Sequence, residues 1–196
     1  MPVVEDERPI ADAVRAILTA IGEDPAREGL ADTPGRVERQ WAELTSGYSA
    51  DPAIALGTTF EVDYDEMVVV RDIAFYSLCE HHLLPFHGRV QVGYLPRGRV
   101  VGLSKIPRLV EAFAHRLQVQ ERMTQQIAET LMTHLDPKGV AVVVEAAHLC
   151  TMMRGVRQQE AVMITSAMLG TFRSDARTRS EFLTLISSSR STASLP

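Results

Sequence analysis

The chain contains 196 residues, of which 45% are hydrophobic and 23% are charged, and its formal net charge at pH 7 is −5. This length and apolar content are sufficient for a core in one domain, or in one domain with a helical arm. The acidic balance argues against a general nucleic-acid binder, which needs a basic face for phosphates. No apolar run approaches the roughly 20 residues that span a bilayer, so we expect no membrane insertion. Residues 1–9 are acidic and lack the apolar core of a secretory signal, which predicts a cytoplasmic protein.

Two helices are predicted near the N-terminus. Residues 10–21 carry apolar side chains at helical spacing. A second helix follows, in which Asp32 or Thr33 can cap the N-terminus and Pro34 fits the first turn. We therefore expect an N-terminal helical arm over residues 1–50.

A central segment has the alternating pattern of a β-strand. The pattern is clearest where Val90, Val92 and Tyr94 alternate with more polar neighbours. Residues 96–98, with the sequence Pro-Arg-Gly, predict a turn into a second strand at 99–103. The two strands are expected to form an antiparallel hairpin.

The rest of the chain alternates between helical and strand patterns. Met123, Ile127 and Leu131 form a stripe on one predicted helix, and we expect Met123 to lie in the core. The predicted elements are helices at 104–117 and 120–135, strands at 140–147 and 161–169, and a last helix at 177–186. This order predicts an α+β domain over residues 51–187, with an antiparallel sheet and helices packed on one face. Residues 188–196 are rich in serine and are expected to be disordered.

Both cysteines of the chain have histidine neighbours. Cys79 precedes His81 and His82, and Cys150 follows His148. The Cys79-x-x-His82 spacing allows both side chains to face one ion across a tight turn, with His81 directed elsewhere. Cys79, His82 and Cys150 would leave the fourth tetrahedral position of a zinc ion open, as in catalytic rather than structural zinc sites. A disulfide or two buried free cysteines are the alternatives, and the missing secretory signal and the nearby histidines weaken both.

Other polar residues lie where they could bind an anion. Ser104, Lys105 and Arg108 open a predicted helix, so backbone N–H groups and two cations converge there, which favours phosphate binding. A solvated helix start is an equally good interpretation of these residues alone. Arg154 follows Cys150 by four positions and is expected near the metal. Glu121 is, on local pattern, an ordinary acid in the first turn of a helix.

In four ordered motifs the chain resembles the GTP cyclohydrolase I family. The motifs are Cys79-Glu80-His81-His82, Gly102-Leu103-Ser104-Lys105, Gln118-Val119-Gln120-Glu121-Arg122 and His148-x-Cys150-x-x-x-Arg154-Gly155. The similarity extends over about residues 10–186. It implies a tunnelling fold (T-fold), in which subunits join their antiparallel sheets into a barrel. It also implies a homodecamer of two pentamers, with active sites between subunits.

The resemblance implies a reaction as well. Zinc on Cys79, His82 and Cys150 would activate water for attack on C8 of GTP. Formate would leave, and rearrangement and ring closure would produce 7,8-dihydroneopterin triphosphate, the first step of folate and pterin biosynthesis. His148 and His81 match the family's acid–base histidines.

Further site residues are assigned by the same resemblance. Ser104 matches a catalytic residue near the ribose. Glu121 matches the family's guanine anchor, and Gln120 beside it is also assigned to substrate binding. The cations matching triphosphate-binding positions are Lys105, Arg108, Arg154 and Arg36.

Three alternatives remain open. A related T-fold enzyme acting on another pterin or purine would share the glutamate anchor. A zinc-stabilised binding module would need a fourth protein ligand, which His81 or His148 could provide. A zinc nucleobase deaminase is disfavoured, because its His-x-Glu and Pro-Cys-x-x-Cys signature is absent.

Overall fold

The computed structural model describes residues 8–187 of the chain. These residues form two compact units, 8–45 and 46–187. The segment 188–196, for which disorder was predicted, lies outside the described residues.

The N-terminal unit contains both predicted helices. They are α1 (Pro9–Ala20) and α2 (Thr33–Leu44). Asp32 precedes α2, but its side chain makes no capping hydrogen bond. Its carboxylate instead accepts a hydrogen bond from Arg36 at 3.1 Å, so the two side chains form an exposed i,i+4 ion pair on the surface of the helix.

The second unit combines helices with two sheets. Its helices are α3 (Pro52–Leu56), α4 (Lys105–Ala114), α5 (Gln120–Leu135), α6 (Leu149–Met152), α7 (Thr171–Ser174) and α8 (Ala176–Ser187). Its strands are β1 (Thr59–Glu61), β2 (Val68–Cys79), β3 (Pro85–Leu95), β4 (Arg99–Val101), β5 (Leu117–Gln118), β6 (Gly139–His148) and β7 (Val162–Gly170). The predicted helix at 120–135 is confirmed at both ends.

The larger sheet carries the site described below. Its strand order is β5-β2-β3-β6-β7, and neighbouring strands are antiparallel except for the short parallel pair of β2 and β5. That pair explains why the helix predicted at 104–117 ends earlier, at Ala114. Residues 117–118 are extended because they pair with the end of β2, where Gln118 lies opposite Cys79.

The predicted hairpin of β3 and β4 is wrong. β4 pairs with β1 in a separate two-stranded sheet, with Glu61 opposite Arg99. Both edges of β3 are already occupied, by β2 on one side and β6 on the other. A turn at residues 96–98 therefore leads away from the larger sheet, because β3 has no free edge that could accept another strand.

Helices α4 and α5 cover one face of the larger sheet. Val90, Val92 and Tyr94 are buried there as their alternation predicts. Met123 and its stripe on α5 pack against the same face and belong to the core, as expected. Burial of this continuous apolar face is the main stabilising contribution to the unit.

Helix α8 packs on the opposite face, which the prediction of one covered face did not include. Its Phe182 and Phe172 of α7 form an edge-to-face pair at 5.7 Å over Ala141. Gly93 lies beneath Phe182, since a Cβ at Gly93 would lie 2.7 Å from the Phe182 ring. The small side chains of the sheet thus admit the two rings on this face.

Gly88 allows β3 and β6 to approach closely, and its replacement by alanine is expected to destabilise the sheet. A Cβ on Gly88 would overlap the carbonyl oxygen of Glu145 and lie 2.7 Å from the Cα of Ala146. Because both contacts are backbone atoms, we expect Gly88→Ala to lower the free energy of unfolding by about 3 kcal/mol or more. Thermal and urea denaturation would measure the loss.

Gly35→Ala is the matched control. Gly35 lies within α2. The nearest atom to a Cβ added there would be a guanidinium nitrogen of Arg39, at 3.6 Å. Alanine is the better helix former by about 1 kcal/mol, so this variant should unfold at the same or a higher temperature. Equal stability of Gly88→Ala and the wild-type protein would contradict the close approach of β3 and β6.

Candidate active site

A tight turn after β2 brings two candidate metal ligands to the same side. The carbonyl oxygen of Cys79 accepts hydrogen bonds from the N–H of His82 at 3.3 Å and of Leu83 at 2.8 Å. Leu83 has a φ of +55°, and its positive φ reverses the chain direction. The N–H of Cys79 is bonded to the carbonyl of Leu84 at 2.9 Å, which closes the turn.

The third candidate ligand comes from the end of β6. This strand ends at His148, and Cys150 follows in the single-turn helix α6. One ligand atom each of Cys79, His82 and Cys150 lies within 4.8 Å of the other two. Both cysteines are buried and neither forms a disulfide. The three residues therefore form a compact Cys, His, Cys group, as the sequence predicted.

The chemistry of this group fits a zinc ion. Zinc is bound by thiolates and imidazoles, and three protein ligands leave a fourth position free. Burial raises the pKa of the Cys150 thiol, and the neighbouring Cys79 raises it further, while Arg154 opposes the shift. Two adjacent thiols ionise readily only if a cation offsets their charge, so the pair suits a divalent metal.

Arg154 and His81 lie beside the metal group. The Arg154 guanidinium is 3.3 Å from Nε2 of His82. His81 is exposed on the turn, and its ring centroid lies 6.3 Å from that of His82 with the planes at 85°. A cationic side chain and an accessible imidazole thus flank the three ligands.

His148 is held between an aromatic ring and an amide. Its ring stacks on Phe86 with centroids 4.6 Å apart and planes at 4°. The two residues lie directly opposite each other in the pairing of β3 and β6. Nε2 of His148 lies 2.8 Å from Oε1 of Gln120. Burial lowers the pKa of His148, and the carboxylate of Glu121 acts in the opposite direction.

The side chain of Gln120 is engaged within the protein. It is only 1% exposed. Its Nε2 donates to the carbonyls of Val144 and Met163 and to the hydroxyl of Thr165. These contacts differ from those of a side chain that binds a ligand, although substrate binding was expected for this residue. Glu121, the next residue, is exposed at the start of α5.

An ion pair connects the metal-site turn to α5. The guanidinium of Arg122 donates hydrogen bonds to Glu80 and, at 3.2 Å, to Oε1 of Gln118. Arg122 holds the pKa of Glu80 below its usual value, mainly through this hydrogen bond. The pair therefore links the turn that carries His82 to the start of α5.

The remaining predicted residues lie elsewhere on the chain. Lys105 and Arg108 are in the first turn of α4, and Ser104 precedes them. No hydrogen bond or ion pair in the described part of the chain joins these three to the metal group. Arg36 lies on α2 in the N-terminal unit, paired with Asp32.

Two contacts of the site could not be read from the sequence. Phe86 under His148 depends on the register of β3 and β6, and a phenylalanine in a strand gives no local signal of that position. Arg122 was noted only as part of a motif. Its acidic partner, Glu80, is 42 positions away.

The amino-acid sequence is similar to that of one protein family and of several proteins in it. The family described as GTP cyclohydrolase I matches residues 10–187. GTP cyclohydrolase 1 of Coxiella burnetii is 58% identical over 178 residues, covering 90% of this chain and 97% of that protein. The protein of the same name from Wolinella succinogenes is 56% identical over 182 residues, covering 92% and 97%. That from Mycobacterium leprae is 55% identical over 185 residues, covering 93% and 90%.

The chain also has similarity to solved structures. One of them is the archaeosine synthase QueF-Like in the apo form, with a TM-score of 0.45 and 19% identity over 53% of this chain and 93% of that chain. Together with the sequence matches, the mixed sheet and its helices define an α+β protein of the T-fold class. The chain belongs to the GTP cyclohydrolase I family and is an enzyme. Within residues 8–187, no helix is both long and apolar enough to cross a bilayer.

Proposed function

We propose that this enzyme opens the imidazole ring of GTP, releases C8 as formate and closes the product to 7,8-dihydroneopterin triphosphate. The observation that carries the proposal is the Cys79, His82 and Cys150 group, whose ligand atoms lie within 4.8 Å of one another. His148 lies two positions before Cys150 in the chain, and the carboxylate of Glu121 interacts electrostatically with it. A metal site, an acid–base group and a carboxylate are the parts that this hydrolysis requires.

Cys79, His82 and Cys150 would hold zinc. When bound, the ion supplies a water molecule of lowered pKa, available for attack on a purine carbon at neutral pH. The buried position of both thiols favours their role as ligands, because metal binding removes the unfavourable charge of the paired thiolates.

His148 is assigned the proton transfer to the purine nitrogen. Burial lowers its pKa while Glu121 acts in the opposite direction, and an imidazole can accept and release a proton near neutral pH. The stack on Phe86 restricts rotation of the His148 ring. Less conformational entropy of this side chain is therefore lost when the transition state forms. His81, exposed beside the metal turn, is assigned as the second acid–base group.

Glu121 is assigned as the guanine anchor. A carboxylate accepts hydrogen bonds from the N1–H and the 2-amino group of guanine, whereas adenine offers neither donor at these positions. Its exposure at the start of α5 leaves it accessible to a ligand.

Glu121→Gln tests this anchor. The amide would direct an N–H toward a guanine N–H, so kcat/KM for GTP should fall by about a hundredfold or more. Glu129→Gln is the control, because Glu129 is exposed two turns further along α5 and should tolerate the change. Steady-state kinetics of both variants provide the measurement. An unchanged kcat/KM in Glu121→Gln would exclude the anchoring role.

Four cations are assigned to the triphosphate of GTP. Lys105 and Arg108 lie at the N-terminal turn of α4, where free N–H groups also favour an anion. Arg154 lies beside His82. Arg36, on α2, is assigned to the triphosphate from the sequence pattern alone. An overall charge of −5 does not prevent these few cations from binding the triphosphate locally. Ser104 is assigned near the ribose, where its hydroxyl assists the rearrangement.

The active enzyme is proposed to be a homodecamer of two pentamers in the cytoplasm, acting in folate and pterin biosynthesis. Val162 and Ile164 on the edge strand β7 are 50% and 62% exposed, which supports further pairing at this edge of the sheet.

The direct test is incubation of zinc-loaded protein with GTP. The expected products are equimolar formate and a pterin that fluoresces after oxidation, with ATP unchanged. Intact GTP in assembled, zinc-loaded protein would overturn the proposal. That result would favour a T-fold enzyme with another pterin or purine substrate, or a zinc-stabilised binding module.

A further inference from the structure

The carboxamide of Gln120 lies at the centre of a buried hydrogen-bond network. Its nitrogen lies 3.1 Å from the carbonyl oxygen of Val144, 3.0 Å from that of Met163 and 3.1 Å from the hydroxyl of Thr165. Its oxygen lies 2.8 Å from Nε2 of His148. The side chain therefore connects α5 with β6 and β7.

The orientation of this amide follows from its partners. Carbonyl oxygens only accept hydrogen bonds, so the end of the amide that faces Val144 and Met163 must be the NH₂ group. Exchange of the amide nitrogen and oxygen would place the amide oxygen, an acceptor, against two carbonyl oxygens, around a side chain that is only 1% exposed. The other end is consequently a carbonyl oxygen, and it faces His148.

Two threonine hydroxyls support the same orientation. The Thr124 hydroxyl lies 2.7 Å from the backbone carbonyl oxygen of Gln120, to which it donates. It also lies 2.7 Å from the Thr165 hydroxyl. Since Thr124 has already donated its one proton, Thr165 donates to Thr124. Thr165 then offers only its oxygen to Gln120, which again requires the amide nitrogen on that side.

We propose that Gln120 is a positioning residue that holds the proton of His148 on Nε2, so that Nδ1 is the atom that exchanges a proton with the substrate. The amide oxygen can only accept, so Nε2 carries a proton in both the neutral and the cationic ring. In the neutral ring, Nδ1 is then the unprotonated nitrogen. Phe86 restricts the ring plane, and Gln120 selects the tautomer.

This inference rests on the proposed function, in which His148 transfers a proton, and it changes the role expected for Gln120. A side chain that binds substrate has a polar atom available to the ligand. The amide nitrogen of Gln120 instead faces three acceptors of the protein, and the amide oxygen faces Nε2 of His148. Both polar atoms are therefore engaged within the protein. The effect of Gln120 on the reaction is thus expected in kcat rather than in KM.

Gln120→Met separates the two roles. Methionine has a similar length and no hydrogen-bonding amide, so His148 loses its acceptor while the space stays filled. We expect kcat for formate release to fall roughly ten- to a hundredfold, with KM for GTP and zinc content close to wild type. Gln125→Met is the matched control, since Gln125 is exposed on the same helix and should leave both constants unchanged. A raised KM with unchanged kcat would overturn the proposal in favour of substrate binding.

A second variant tests the network if Gln120→Met does not fold. Thr165→Val keeps the shape of the side chain and removes one acceptor of the Gln120 amide. Because the two carbonyls remain, we expect a smaller loss of kcat, roughly two- to tenfold, with KM unchanged. Thr165→Ser restores the hydroxyl and should recover the rate. Equal rates in the valine and serine variants would count against the network.

The tautomer itself can be observed without turnover. Solid-state NMR of zinc-loaded protein with ¹⁵N-labelled histidine distinguishes a protonated from an unprotonated ring nitrogen, and the spectrum of a His148 variant assigns the signal. A proton on Nε2 is the expected result, and its loss in Gln120→Met would support the assignment. A proton on Nδ1 of the neutral ring would overturn the inference even in a protein that converts GTP. A proton on Nε2 in a protein that leaves GTP intact would support the tautomer assignment and overturn the proposed function alone.

Discussion

Cys150→Ala is expected to abolish stoichiometric zinc binding and, with it, formate release from GTP. Cys150 is one of three ligand residues within 4.8 Å of one another, and two ligands hold zinc far more weakly than three. If the metal supplies about 4 kcal/mol of transition-state stabilisation, its loss should slow formate release roughly a thousandfold. Metal analysis and formate release on the same sample provide the measurement.

The fold should survive this change. Cys79 and Cys150 are two of the many buried residues of the apolar core of the second unit, and the rest of that core consists of strand and helix side chains, so removal of zinc should leave the secondary structure intact. Wild-type protein stripped with a chelator and reloaded with zinc is the control, because both cysteines belong to the site. Full activity in zinc-free Cys150→Ala would contradict the metal assignment. Unfolding on chelation alone would instead indicate a structural metal.

His148→Ala is expected to retain zinc and lose turnover. His148 is not among the three grouped ligand residues, so its loss leaves the Cys, His, Cys group complete. General acid–base groups contribute about a hundredfold to ten-thousandfold in rate, and we expect kcat to fall within that range with KM little changed. Single-turnover formate release at saturating GTP would measure the chemical step.

His134→Ala is the matched control for this variant. His134 lies in the last turn of α5, where its ring contacts the carbonyl of Thr130 at 2.9 Å. We expect its activity to equal that of the wild type. Loss of zinc together with activity in His148→Ala would argue that this histidine acts as a ligand. Undiminished turnover would refute its role in proton transfer.

Much of the core could be predicted from the sequence because local periodicity reports burial. Val90, Val92 and Tyr94 alternate on β3, and all three are buried. The stripe on α5 that begins at Met123 is buried as well, and the helix has the predicted bounds. Strand and helix periods differ, so a run of apolar residues at either spacing indicates both the element and its buried face.

Strand pairing was harder to predict because it depends on which edges are free. The turn at 96–98 was recognised, yet β4 pairs with β1 because β2 and β6 occupy β3 on both sides. The short strand at Leu117–Gln118 was also missed. It is only two residues long, and its extended shape comes from pairing with the end of β2 rather than from its own sequence.

The sequence by itself determined which residues form the candidate metal group. Cys79 and His82 are close because a single turn separates them, and Cys150 is the one other thiol available. Only the tertiary structure decided what surrounds His148. Phe86 and Gln120 reach it through strand register and helix packing, over separations of 62 and 28 positions. Local spacing limits what neighbouring side chains can reach, whereas contacts between distant segments depend on the packing of the whole unit.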